Sequence, residues 1–449
     1  MTEYEMLSSI SKTLDISIFK LNNMYKGSYI YSLPRYRETL YNIARQHFIS
    51  QETTDKYLLD MMQQNYFPEL QKRCIAIASI PLIEQKTPEW FKQRETMISA
   101  SDSGYFLKKC GVAKAIDSLK IKVGLKTYVN SNAPPLMHGN TYEDVSRAIY
   151  ESRNAVIVTE YGILSSPIKC IGASPDGIVT ACHNNTYECQ SKYGRLLEIK
   201  NPYSREIDKH IKPEYMVQIL QQQFTTGLPI CDFVETTIVD LYCNTTDSNY
   251  KPYTNLEGML ADKLDKTNIN WSIRIKNKNI PNDNLNKFGN EKGVVVWYKK
   301  HISETDTRNK YILYPLSATY EKLTIEKWIV DTNSIQHTDG YTQVCIKYWR
   351  LDVYCEKTVI YDEHVFEAEY VPQLIKVWDV ITKCTDLRSK SCDISKFIED
   401  EEANKESPFY NERKRKKKIV DTSNLDETEI NKRIFDKAFK PNKAIIIDF

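Results

Sequence analysis

Asp176, Glu198 and Lys200 are the residues of this chain whose types and spacing suit metal-assisted chemistry on a phosphate. Arg195-Leu196-Leu197-Glu198-Ile199-Lys200 has the composition of a strand ended by Asn201-Pro202, and side chains two apart on a strand leave from one face. Glu198 and Lys200 therefore point the same way together with Leu196, while Leu197 and Ile199 take the other face. An acid and a base at the rim of a core strand need a partner or a task. Asp176 offers the partner. It lies between the small-residue run Ile171-Gly172-Ala173-Ser174-Pro175 and Gly177-Ile178-Val179-Thr180, a pattern that predicts one strand entering a bend and another leaving it. A hairpin with its tip near residues 182–192 returns the chain through Glu198 beside Asp176. Two clustered carboxylates repel unless a cation sits between them, and hard oxygen donors with room for water select Mg²⁺ or Mn²⁺. Such an ion binds a scissile phosphate and activates a water, leaving Lys200 to neutralise phosphate charge and position the nucleophile. Each fragment alone is ordinarily a turn or a solvated strand edge; the ordered combination is specific.

Pro175-Asp176 followed by Glu198-Ile199-Lys200 resembles the core signature of the PD-(D/E)xK nucleases, and within them of the lambda-type exonuclease or YqaJ viral recombinase family. The likeness extends to both sides. Upstream, Thr87-Pro88-Glu89-Trp90-Phe91-Lys92-Gln93-Arg94 and Ile98-Ser99-Ala100-Ser101-Asp102 are similar to the family's Trp-x-x-x-Arg and Thr/Gly-x-Ser-Asp/Glu segments. This implies that Arg94 and Ser101 hold the terminal phosphate of a DNA strand. Trp90, one helical turn before Arg94, either stacks near the DNA end or packs in the core. Met137-His138-Gly139-Asn140-Thr141-Tyr142-Glu143-Asp144 resembles the family's Gly-x-x-x-Glu helix, whose Glu reaches the metal, and Glu143 is the matching position. Gln218 corresponds to the family's helix Gln, which orients the attacking water or a phosphate; Gln221 to Gln223 leave open a face that is simply polar.

The resemblance thus implies catalytic roles for Glu143, Asp176, Glu198, Lys200 and Gln218, and a metal site at Glu143, Asp176, Glu198 and Ile199. It implies an α/β, restriction-endonuclease-like core with a mixed central sheet flanked by helices. The expected activity is that of a Mg²⁺-dependent deoxyribonuclease, with Mn²⁺ as a substitute. Its expected mode is 5′ to 3′ exonuclease action on linear double-stranded DNA ends in viral or phage-type recombination, repair or replication, with a single-strand annealing protein as partner. An endonuclease or alkaline nuclease of broader range, or a DNA-binding pseudonuclease, are the alternatives; oligomeric state stays open.

The elements that must position these residues follow from local signals. Thr87 and Pro88 predict a helix start, and Pro213 to Thr226 predicts a helix closed by Gly227. The helix carrying Glu143 is expected to run to about Tyr150, with Val145 and Ile149 off the Glu143 face. Strands are expected at 232–239, 293–299, 310–315 and 348–359, and a closing helix at 372–383. Residues 1–84 show longer apolar periodicity, which predicts a helical N-terminal extension. Residues 85–385 are expected to form one nuclease domain with an insertion at about 244–294, and 386–449 a charged tail.

Length gives ample capacity for a core, at 449 residues. Lys and Arg total 61 against 59 for Asp and Glu, so a net charge of +2 excludes global steering toward DNA and leaves only local patches. One such block is Arg413-Lys414-Arg415-Lys416-Lys417-Lys418, adequate as an import signal or a phosphate contact. The final Ala444-Ile445-Ile446-Ile447-Asp448-Phe449 is apolar enough to dock. The 11 scattered cysteines fit reduced thiols, and Cys182-His183 with Cys189 lacks an evident fourth zinc ligand. No stretch has the pattern of a secretory signal or a membrane span. A soluble intracellular protein is expected, and the resemblance points to the host nucleus or a viral replication site.

Overall fold

Alternation of short apolar strands with amphipathic helices builds two sheets here rather than one. The computed structural model describes residues 2–21, 28–83, 87–126, 133–207, 210–241, 252–262, 291–302, 307–412 and 446–447. In chain order the strands are β1 (Ile98–Ser99), β2 (Val156–Thr159), β3 (Leu164–Ser165), β4 (Ile171–Ala173), β5 (Gly177–Cys182), β6 (Leu196–Lys200), β7 (Ile230–Val239), β8 (Lys292–His301), β9 (Thr307–Leu313), β10 (Thr342–Ile360) and β11 (Ile446–Ile447). A small sheet has the order β1-β4-β3, and an 8-stranded sheet has the order β2-β5-β6-β7-β10-β8-β9, with β11 on β10. The large sheet is mixed: β6 and β7 run parallel, whereas β5 and β6, β7 and β10, and β10 and β8 are antiparallel.

The helices are α1 (Glu3–Leu21), α2 (Pro34–Ala44), α3 (Gln51–Asn65), α4 (Phe67–Ala78), α5 (Pro88–Glu95), α6 (Ala100–Phe106), α7 (Val112–Lys122), α8 (Pro134–Asn154), α9 (Tyr187–Gln190), α10 (Pro213–Thr226), α11 (Leu256–Ala261), α12 (Lys322–Thr338), α13 (Val371–Ser389) and α14 (Ile394–Ala403). The expected stops hold where their chemistry is local. Thr87 caps α5 by accepting from the Trp90 N–H at 3.3 Å, and Gly227 closes α10 with φ +67°, a conformation glycine adopts without strain. At Gly104 an added Cβ would meet the Glu214 backbone within 2.9 Å, so α6 lies tight against the start of α10.

The described part of segment 1–84 is mainly helical, as its periodicity predicts, yet it does not stand apart. Leu7, Tyr29, Leu40, Tyr57, Leu58 and Leu70 belong to the same buried cluster as Leu196, Phe233 and Val359 of the large sheet. Elsewhere the structure departs from the expected pattern. Part of the segment at 244–294 is ordered as α11, capped by Asn255 and packed through Met259 against Ile325 and Tyr298, and the rest of it lies largely outside the described residues. The charged tail begins later than 386: α13 continues to Ser389, and α14 buries Ile394 and Ile398 at i, i+4 together with Glu402, while Glu399 and Asp400 are exposed. Phe409 is fully buried against Phe106. The basic run 413–418 lies outside the described residues. Among the described residues no helix is long and apolar enough to cross a membrane.

Candidate active site

Asp176 occupies the junction of the two sheets. The chain leaves the small sheet at Ala173, passes Ser174-Pro175 and enters the large sheet at Gly177, which pairs with Leu197. The predicted hairpin forms, with α9 at its tip, and it brings Asp176 beside β6. There Asp176 Oδ2 accepts from the Ile199 N–H at 2.7 Å. Glu198 is 0% exposed, and Lys200 donates to its Oε1. Burial works to lower the Lys200 ammonium's pKa, but Glu198 and then Asp176 outweigh it and hold it above the ordinary lysine value. Lys200 therefore stays a cation.

Helix α10 carries three consecutive buried glutamines, the first of which reaches the small sheet and the other two the large one. Gln221 Nε2 donates to the carbonyls of Ile98 and Gly172, each at 2.9 Å, while its Oε1 accepts from Ser103. Gln222 Nε2 donates to Glu198 Oε2 at 2.6 Å. Gln223 Nε2 donates to the Pro229 and Val359 carbonyls, each at 2.9 Å. Buried amides are tolerated because each has such a partner. The amide on Glu198 is thus Gln222 and not Gln218, which lies half-buried one turn earlier on the same face. Spacing of i+4 from Gln218 was the available sequence signal, obscured by its neighbours. Tyr215, one turn before Gln218, packs on Phe233 and has the Lys200 ammonium 5.2 Å from its ring centroid.

Glu143 sits half-buried on α8, with Val145 and Ile149 fully buried on another face as their spacing predicts. Ser146, one turn on, donates to Asn201 Oδ1 at 2.6 Å, so α8 runs past the end of β6 that carries Lys200. Among the described residues no three His, Cys, Asp or Glu side chains converge as a metal-holding group. The donors drawn together at β6 are Asp176 and Glu198. Such a pair suits Mg²⁺, which is ordinarily held by one or two carboxylates and keeps several waters, better than zinc with its closed shell of nitrogen and sulfur. Cys182 and Cys189 direct their thiols to the Cys189 and Ala155 carbonyls, and burial pushes the Cys182 thiol up to about 12.

Arg94 and Ser101 also meet. Arg94 Nη2 donates to Ser99 Oγ at 2.7 Å and Ser101 Oγ at 3.0 Å, and it pairs with Asp102 at 3.3 Å. Ser99 and Asp102 were not singled out by the sequence motif, although both belong to it. Trp90 is 7% exposed among Met97 and Ile163, and the Arg94 guanidinium lies over its ring at 4.6 Å. Of the two readings of Trp90, the burial agrees with the core one, and its ring is the platform of Arg94. Ser99 is registered with Gly172, four residues before Asp176, so at most roughly 13 Å of chain joins the Arg94 cluster to the carboxylates.

Beneath β6 lies a second polar group. Arg195, fully buried, donates to Asp232 at 2.9 Å and to the Ser32 carbonyl at 2.8 Å, and Lys192 and Tyr150 each reach Asp232 at 2.8 Å. Burial alone would raise the Asp232 pKa, but Arg195 and Lys192 hold it well below the carboxylate range. Arg195, Asp232 and Tyr150 are essentially fully buried, and the network ties the N-terminal segment to the strand bearing Glu198.

Residues 89–229 match the family model described as a YqaJ-like viral recombinase domain. An uncharacterised protein of Acanthamoeba polyphaga mimivirus is 29% identical over 362 residues, 76% of this chain; the chain spans 60% of that curated relative's length. Among solved structures, the alkaline exonuclease of Laribacter hongkongensis is similar at 28% identity, over 34% of this chain and 74% of that one, with a TM-score of 0.26. The same exonuclease in complex with dAMP matches at 28% identity over 33% and 74%, with a TM-score of 0.26. Every residue of the two clusters, from Trp90 and Arg94 through Asp176, Glu198 and Lys200 to Gln222, lies inside the segment that matches the YqaJ-like viral recombinase domain.

Proposed function

We propose that the protein is a metal-dependent deoxyribonuclease acting as a 5′ to 3′ exonuclease on linear duplex ends in viral DNA recombination. The observation that carries this reading is the meeting of Asp176, Glu198 and Lys200 at one strand end, with Arg94 and Ser101 on the two helices that flank β1 of the adjoining small sheet. Asp176 and Glu198, with Ile199 between the sheets' junction and Lys200 and with Glu143 on α8, would hold Mg²⁺. When bound, the ion polarises the scissile phosphate and lowers the pKa of a water. Lys200, a cation by its setting, offsets charge gathering on the phosphate. Gln218, one turn before Gln222 on α10, suits the orientation of a water or a phosphate. Arg94 contacts its neighbours through Nη2, and a guanidinium has five donors, so capacity remains for a terminal phosphate.

Incubation with linear and closed circular duplex plus Mg²⁺ separates the readings. Loss of linear DNA alone supports the exonuclease; nicking of the circle points to an endonuclease; binding without cutting points to a pseudonuclease. Arg94 gives a finer test. A charge-assisted contact is typically worth about 1.5–3 kcal/mol, which is roughly a ten- to hundred-fold preference for 5′-phosphorylated over hydroxyl ends. Arg94→Ala is expected to collapse that preference by slowing only the phosphorylated substrate, and Arg94→Lys to restore part of it. Equal slowing of both substrates would make Arg94 a structural residue.

A further inference from the structure

Glu198 is held at both oxygens, by Lys200 at Oε1 and by Gln222 Nε2 at Oε2, 2.6 Å away. This pairing fixes how the amide is turned, because an ionised carboxylate only accepts hydrogen bonds. The nitrogen must face Glu198, and the oxygen must face elsewhere. Gln222 is itself 0% exposed, and its Oε1 is buried with no hydrogen-bond partner among the described residues. Leaving a buried amide oxygen unpaired is costly, and native proteins ordinarily answer it with a bound water or ligand. Here the unpaired oxygen belongs to the amide that already grips Glu198.

The neighbouring glutamines show a different use of the same side chain. Gln221 is satisfied at both ends by Ser103 and by main-chain carbonyls, and the nitrogen of Gln223 is engaged by Pro229 and Val359 while its oxygen, like that of Gln222, has no partner among the described residues. Those two lock the helix to strands. Gln222 alone of the three reaches an ionised side chain of the proposed centre.

We propose that Gln222 is a positioning residue of the nuclease centre: its Nε2 fixes the Glu198 carboxylate, and its Oε1 accepts a hydrogen bond from a water held beside that carboxylate when a divalent ion is bound. The inference rests on the reading of Asp176 and Glu198 as ion-binding groups, and it assigns Gln222 a role separate from the one expected of Gln218. Partners that orient a metal-binding carboxylate typically contribute 10- to 100-fold in metal affinity or activity.

The test uses the full chain with Gln222→Met, which keeps the length but removes donor and acceptor, and Gln222→Leu, which fills the site with a different shape. Three quantities are measured: thermal midpoint without metal, Mn²⁺ affinity by calorimetry without DNA, and cleavage of linear duplex. Both variants are expected to fold, to bind Mn²⁺ roughly 10- to 100-fold more weakly, and to regain part of their cleavage rate in excess Mn²⁺. A merely structural role would lower the thermal midpoint and leave the affinity of the folded protein unchanged. Unchanged Mn²⁺ affinity in either folded variant overturns the proposal, and so does failure of both to fold, which would make Gln222 a packing residue. If the unmodified protein neither binds Mn²⁺ nor cuts DNA, the nuclease reading itself falls. If it does both and the variants match it, only the role of Gln222 falls.

Discussion

Glu198→Gln is expected to lower Mg²⁺-dependent cleavage by about a thousand-fold or more while the protein stays folded. The substitution keeps the side-chain volume and removes the charge that holds both the ion and Lys200. Metal-derived charge stabilisation is worth several kcal/mol, and each 1.36 kcal/mol is about a decade of rate. Asp176→Asn and Lys200→Met should show losses of the same order, and pairs of these changes should add little, because the groups act as one unit. Lys200→Met carries a second signature. It leaves the buried Glu198 charge without its cation, and breaking such a pair costs about 3–5 kcal/mol, toward the low end here because Lys200 is 24% exposed. Its melting temperature should therefore fall where that of Glu198→Gln does not. Normal cleavage rates from a folded Glu198→Gln protein would sink the assignment.

Removal of residues 1–84 is expected to abolish folding of the remainder. Tyr29, Leu33, Leu40, Tyr57, Leu58, Met62 and Leu70 are all buried in the cluster that contains Leu196, Ile230 and Phe233. At about 1.5–3 kcal/mol for each large apolar side chain, their loss matches or exceeds the roughly 5–15 kcal/mol that keeps a domain folded. The cut also removes the Ser32 carbonyl from Arg195, stranding donors of a fully buried guanidinium three residues before Glu198. Circular dichroism melts of the full chain and of a chain starting at residue 85 measure this. A cooperative transition within a few degrees of the full chain would show that the segment is a dispensable cover.

Sequence made the hairpin legible because its signals are local: Pro175 and Gly177 bracket the bend, and alternation in Leu196 to Lys200 sets which charges share a face. Caps at Thr87 and Gly227 were legible for the same reason. Pairings between distant segments were not. That β4 and β5, adjacent along the chain, enter different sheets depends on partners at Ile98 and Leu196, far away in the sequence. The burial of Gln221, Gln222 and Gln223 could not be read either, since polarity suggests solvent unless the carbonyls and carboxylate that satisfy them are known. The family likeness singles out Gln218 on α10, and the amide that touches Glu198 is Gln222, one turn further on.

The position of Asp176 between two sheets gives the molecule a built-in ruler. On the proposed reading, the helices flanking β1 of the small sheet carry the grip on the strand terminus, the large sheet carries the hydrolytic groups, and the Gln221 and Gln222 amides pin the two sheets together. The distance from a held terminus to the bond that breaks is then a dimension of the protein frame. Product length should accordingly be uniform along the DNA and indifferent to base sequence, and a change that lets the sheets shift should blur the length of the fragments before it slows their release.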